Sequence, residues 1–300
     1  MEWALCIPQS CYLHRIADPW RETGERNWPD ARRVIENMFG GIKFTRLYFG
    51  QEFCEKALPA AGELLESVEE SKRLGMEFTL VTPYVTERGL AKLEGRLKEL
   101  ERERPGCEVV VNDWGVLYLL HRKFPTLNPV LGRLLNKIWR DPRLDNYLKN
   151  HPAGDCKILR NCSLAGPYMK KLLKRLNVKR IELDNLLQGL DDGLSHWGYK
   201  LSLYIPYGCI TTGRICLFGS WGLKQPGKFR STGRTCSRQC RHYRLEMRDM
   251  SGQVPKNGGW RIVQKGNTVF YEQTADLLAK GLEQAGKLKI SRIVYQPDPL

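Results

Sequence analysis

Nowhere in the 300 residues does an apolar run approach the roughly 20 positions that cross a bilayer, so no membrane span is expected. The start, MEWALCIPQSCYLHR, carries an acid at position 2 and no long apolar core. It does not read as a secretory leader, and the expected location is cytoplasmic. Neither G-x-S-x-G nor H-E-x-x-H occurs, which removes the signatures of a serine-hydrolase elbow and a zinc-protease helix. No G-x-G-x-x-G follows the first apolar segment, which lowers a dinucleotide-binding reading. Acidic side chains are short against basic ones, 33 to 48, leaving a net charge of +15 and a pI near 9.4. Such a field attracts nucleic acid, anionic surfaces or phosphorylated small molecules.

What is present suits a soluble chain with a substantial core: 42% hydrophobic residues, 27% charged, mean hydropathy −0.44. The length allows one large α/β domain or two ordinary ones. Short apolar runs at 3–7, 44–50, 76–83 and 108–112 read as strands. Amphipathic stretches at 29–39, 59–74 and 86–103 read as helices between them. Thr86 and Asp113 stand where N-caps belong. This alternation, about 30 residues per unit, argues for parallel α/β architecture, open or closed. Residues 123–165 break the rhythm and read as an insertion or lid, with 126–135 as a strand end and loop. A basic helix is expected at 167–176, strands at 178–183 and 201–206, a hairpin over 261–272, a helix at 274–285 and a last strand at 290–295.

Ten cysteines in a cytoplasmic chain point to thiols or ligands rather than disulfides. Four of them, Cys209, Cys216, Cys236 and Cys240, fall in the stretch 203–247 with spacing C-x6-C-x19-C-x3-C. Gly and Pro recur there, so the stretch reads as mostly loop, and a loop this long is functional or held by something. Thiolates are soft ligands that suit zinc or iron–sulfur clusters. No C-x2-C zinc knuckle and no C-x3-C-x2-C triplet is present. Spacing alone therefore leaves iron–sulfur, zinc and plain thiols open. Between Cys209 and Met250 there are nine Lys/Arg and two Asp/Glu. Arg214, Arg234, Arg238, Arg241 and Tyr243 are the candidate substrate-binding residues, because cations interleaved with rings suit single-stranded RNA or a small anion. His242, Asp113 and Glu182 are candidate acid–base groups.

The segment Gly233-Arg234-Thr235-Cys236-Ser237-Arg238-Gln239-Cys240-Arg241-His242-Tyr243, preceded by the Cys209/Cys216 pair, resembles the cysteine signature of the peptidase U32 family. Residues 46–50 and 110–120 resemble barrel segments of that family, and the likeness covers roughly 1–250. It implies a TIM-barrel-like (β/α) barrel over 1–208, a cluster-binding loop at 209–250 and a C-terminal segment, 251–300, completing or flanking the barrel. It also implies a [4Fe-4S] cluster, with zinc as the alternative, held by Cys209, Cys216, Cys236 and Cys240. In some relatives one ligand comes from elsewhere, so Cys6, Cys11 or Cys54 stands as a substitute. The activity implied is oxygen-independent hydroxylation or related redox modification of RNA or a small anion. An electron donor or a second U32-like subunit would be its partner. The alternatives are a scaffold with a structural cluster, or a peptidase as the family label suggests. The His-Gly pair usual before the first cysteine of that family is replaced here by Tyr207-Gly208.

Overall fold

The computed structural model describes residues 1–20, 29–141, 144–151, 157–221, 224, 236–248 and 261–299. Eight parallel strands close a barrel: β1 (Glu2–Ile7), β2 (Arg46–Gly50), β3 (Glu77–Thr82), β4 (Glu108–Val111), β5 (Asn128–Leu131), β6 (Arg180–Asp184), β7 (Lys200–Ile205) and a last strand, Arg292–Tyr295. That last strand lies between β7 and β1, so the chain's C-terminal end completes the ring. This is a TIM-barrel fold, as expected.

Period two along each strand sorts the side chains. Val109 and Val111 of β4 face outward into the main core, while Val110 faces the barrel axis. The axis cluster takes Ala4 and Cys6 from β1, Tyr48 from β2, Val81 from β3, Val130 from β5, Tyr204 from β7 and Val294 from the last strand. Cys6 is thus a buried thiol inside the barrel.

Outside run α1 (Pro29–Phe39), α2 (Ala61–Arg73), α3 (Glu87–Glu103), α4 (Trp114–Lys123), α5 (Leu144–Asn150), α6 (Pro167–Arg175) and α7 (Ala275–Lys287). In α3, Leu93, Leu97 and Leu100 form one buried stripe, the spacing a 3.6-residue period demands. Both proposed caps hold. Thr86 Oγ1 accepts from Gly89 N at 3.2 Å, and Asp113 Oδ1 accepts from Gly115 N at 2.7 Å and Val116 N at 3.3 Å.

Two expectations change. The fifth strand, Asn128–Leu131, sits inside the stretch read as strand end and loop; its four residues include Pro129, which masks its pattern. The stretch 203–247 is not mostly loop at its start. After the cis Ile205–Pro206 peptide the chain forms β8 (Tyr207–Thr212), with Cys209 in mid-strand. With β9 (Leu245–Glu246), β10 (Arg261–Lys265) and β11 (Thr268–Glu272), β8 builds a second, antiparallel sheet in the order β8-β11-β10-β9. The last barrel strand is accordingly β12 (Arg292–Tyr295). Gly208 is required in β8, since a Cβ there would collide with the Tyr271 ring.

Ion pairs close both barrel ends. At the N-terminal end, first-in-strand residues meet: Arg292 with Glu2 at 2.6 Å, Arg46 with Glu2 at 2.7 Å, and Arg180 with Glu108 at 3.5 Å. At the other end the closure is Arg133. No helix among the described residues is long and apolar enough to cross a membrane.

Candidate functional site at the C-terminal mouth

The mouth is organised by a fully buried guanidinium. Arg133, just past β5, binds Glu52 through Nη2 at 2.6 Å and Nε at 3.0 Å. Its Nη1 meets Asp184 Oδ1 at 2.9 Å and the Tyr207 carbonyl at 3.1 Å; Nη2 also reaches Gln296 Oε1 at 2.9 Å. The plane lies 4.1 Å from the Tyr204 ring centroid. Arg140 Nε holds the second Asp184 oxygen at 2.6 Å, and Cys209 N donates to Asp184 at 3.3 Å. Burial alone would raise Asp184, but Arg140 and Arg133 hold it below the usual range. For Glu52 burial wins over Arg133, and its pKa rises. Asp184 ends β6, and Glu52 and Arg133 stand two residues past β2 and β5; Arg140, nine past β5, carries no sequence signal.

This network also sets the loop that carries Cys54. β2 ends on Gly50, whose φ is +122° and whose position leaves no room for a Cβ against the Val81 carbonyl. Glu52 is then pinned by Arg133, and the Phe53 carbonyl accepts from Asn267 Nδ2 at 2.6 Å. Cys54 follows, at the start of a 3-10 turn, Glu55–Ala57. The Cys236–Cys240 segment docks on the same side. Arg238 Nη2 donates to the Lys56 carbonyl at 3.2 Å, Tyr12 Oη donates to the Arg241 carbonyl at 2.8 Å, and Arg241 Nε donates to Gln9.

Four thiols lie close enough to feel one another, Cys54, Cys216, Cys236 and Cys240, and three of them belong to the C-x6-C-x19-C-x3-C set. Burial pushes the Cys240 thiol up to about 11, with Cys216, Cys54 and Cys236 adding to the rise. Cys54 is raised by burial and by Cys216 and Cys236; Cys216 is raised by burial and by Cys236. Backbone N–H groups oppose this at Cys54 and Cys216, where they favour the thiolate. Gly219 N lies 3.2 Å from Cys216 Sγ, and Arg238 N, in a left-handed conformation, lies 3.4 Å from Cys236 Sγ.

Cys209, the expected first ligand, is elsewhere. It is fully buried among Phe53, Tyr207, Val263 and Phe270, and the charges around it are Asp184, Arg133, Arg140 and Glu52 rather than other cysteines. Burial takes it up to about 12. The reason is β8: a strand paired with β11 alternates its faces, and Cys209 falls on the face turned to the barrel. Of the substitutes, Cys6 is in the barrel axis and Cys11 is exposed, leaving Cys54. The resemblance named it only as one of three substitutes; its place four residues past β2 is the local signal that could have singled it out. Cys162 is a free thiol, and Cys156 lies outside the described residues. Among the described residues, no group of three or more His, Cys, Asp or Glu side chains is disposed to hold a single metal ion.

The remaining candidates divide. Asp113 is spent on its helix cap and on Val85 N at 3.2 Å. Glu182 points into the barrel, accepts from Tyr48 Oη at 2.9 Å, and leaves Oε2 without a partner. Burial lifts it to about 7 against the pull of Arg292 and Arg180. His242 and Tyr243 line a cleft of about 510 Å³ with Arg241. Tyr243 is 55% exposed and stacks on Trp221 at 5.9 Å, making an open ring platform. Arg214 lies 5.7 Å from the Tyr84 ring, and Arg234 falls outside the described residues.

No protein-family model matches the chain, and no curated protein matches it either. Among solved structures, similarity is found to a glycoside hydrolase family 18 N-acetylglucosaminidase from Paenibacillus barengoltzii, at 6% identity and a TM-score of 0.37, covering 98% of this chain and 94% of that one. The spore cortex-lytic enzyme SleL of Bacillus megaterium gives 10% and 0.36, covering 98% and 70%. A family 18 chitinase from Cycas revoluta gives 9% and 0.33, covering 98% and 94%. Scores this low carry no argument about chemistry, and the fold stands on its own strand pairing.

Proposed function

We propose that the chain is a U32-like iron–sulfur protein in which Cys54, Cys216, Cys236 and Cys240 hold a [4Fe-4S] cluster above the barrel mouth. Its reaction in this reading is an oxygen-independent hydroxylation or related redox modification of RNA or a small anion. The observation that carries the reading is the gathering of these four thiols on three loops, with Cys209 set apart. The donor set fits. Thiolates are the ligands of such clusters, and backbone N–H groups near two of the sulfurs are the contacts that tune them. A four-iron cluster places each thiolate on a different iron, so it accepts sulfurs more widely spread than one zinc ion does, which favours iron–sulfur over zinc.

Bound there, the cluster would supply one-electron chemistry. The chain's own residues do the rest. Asn267 and the Glu52–Arg133 pair fix the Cys54 loop. Arg238 and Arg241 tie the Cys236–Cys240 segment to the loops after β2 and β1. The basic face and the Tyr243–Trp221 platform attract and seat an anionic, stackable substrate.

Anaerobic purification followed by iron and sulfide analysis tests the first step. About four irons per chain are expected, and fewer than about three in fresh protein rejects the cubane. Cys54→Ser should bleach the brown absorption, while Cys209→Ser should keep it. The reverse pattern would restore the spacing-based ligand set. RNA binding that is unchanged from low to high salt would reject phosphate contact as its basis.

A further inference from the structure

We infer that the cleft beside Cys240 is a binding site for a small organic oxyanion, a carboxylate or phosphate carried on a flat apolar body. The cleft, about 510 Å³, lies between the 3-10 turn Ser10–Ile16 that follows β1 and the residues that follow Cys240. That volume suits a single small molecule rather than a polymer. Arg15, Arg241, Arg244 and Lys265 line it against one carboxylate, Asp298, which is paired with Lys265.

Arg15 is the decisive residue. Its Nη1 is buried with no hydrogen-bond acceptor, and among the described residues it has no ion-pair partner. Arg15 as a whole is half-buried and its side chain lines the cleft, and a guanidinium nitrogen shut off from water without an acceptor is unfavourable until an anion takes it. The group is also held ready. It lies 4.4 Å from the centroid of the Tyr12 ring, and Tyr12 is itself tied by its hydroxyl to the Arg241 carbonyl at 2.8 Å. The planar fork is the geometry that takes a carboxylate or phosphate by two parallel hydrogen bonds. The rings of Tyr12 and Tyr243 supply walls for an apolar body. None of these cleft residues is a cysteine of the proposed ligand set, so binding does not require the cluster. Only its consequence, an anion seated beside Cys240, rests on the iron–sulfur reading.

Titration calorimetry on the full chain tests the site with three probes: benzoate, phenyl phosphate and inorganic phosphate. The measurement is made on the protein as isolated and again after iron is removed with a chelator. Saturable binding of benzoate or phenyl phosphate is expected, with inorganic phosphate weaker because it lacks the apolar body. The preference between the first two identifies the head group. Arg15→Gln should weaken the better probe by about tenfold or more, since a charge-assisted hydrogen bond is lost. If Arg15→Gln fails to fold by circular dichroism, Arg15→Lys is read instead. It keeps stem and charge but not the fork, and a several-fold loss is expected. Absence of saturable binding for all three probes, or unchanged affinity in the folded variant, overturns the site. Chains that bind the probe but carry no iron would sink the cluster and leave the cleft standing; iron-loaded chains that bind no probe would do the opposite.

Discussion

Glu182 sets up a pH dependence that can be worked through. In the folded chain its carboxyl titrates near 7, because burial in the barrel axis outweighs Arg292 and Arg180; its ordinary value is 4.5. Between those two values the native state holds a proton that the unfolded chain has released. Stability therefore falls as pH rises from about 4.5 to about 7, and is level above that. At 1.36 kcal/mol per pH unit the gap amounts to about 3 kcal/mol. Glu182→Gln keeps the shape and an oxygen to accept from Tyr48 Oη, but has no charge to desolvate. Below pH 4.5 the variant and the parent should melt together. By pH 8 the variant should be more stable by about 3 kcal/mol. With about 2.1 cal/mol/K of unfolding entropy per residue over 300 residues, that is a Tm difference of about 5 °C. Calorimetry of both proteins across pH 4.5–8.5 reads the difference curve directly. A difference that does not change with pH, or one that favours the parent at high pH, would refute the argument that desolvation dominates at this site.

Other outcomes follow from the mouth and the caps. Arg133→Met strands Glu52 as a buried charge, leaves Asp184 to Arg140 alone, and should cost about 3–5 kcal/mol, with much of that recovered when Glu52→Gln is added; thermal melts of the single and double variants check it. Arg133→Met should also lower iron retention, because Glu52 no longer anchors the loop that presents Cys54, and iron analysis of the folded fraction measures this. Asp113→Ala should cost about 1 kcal/mol by removing the cap of α4, with no other change in cofactor content; urea titration gives the loss.

How much of this was legible beforehand can be argued residue by residue. The alternation of strand and helix was readable because local signals carried it: short apolar runs, an amphipathic stripe in α3, and caps at Thr86 and Asp113; closure into a barrel came only with the family resemblance. The fifth strand escaped because four residues with a proline give too little pattern. The cysteines were readable as a concentration of donors, but the burial of Cys209 in mid-strand was not, since spacing along the chain does not say which face of a strand a residue takes.

The sequence by itself determined the alternation of strand and helix, the excess of basic charge and the concentration of thiols near one end, because each is a property of neighbours along the chain. The tertiary structure alone decided that Cys54, 155 residues before Cys209, lies near enough to Cys216, Cys236 and Cys240 to feel their charge. It also decided that Arg133 closes the mouth and that Glu182 is buried in the axis, where desolvation outweighs Arg292 and Arg180. The physical reason is barrel closure. It brings the ends of distant strands together, and those contacts, with the desolvation they impose, are set by three-dimensional packing and leave no mark on local pattern.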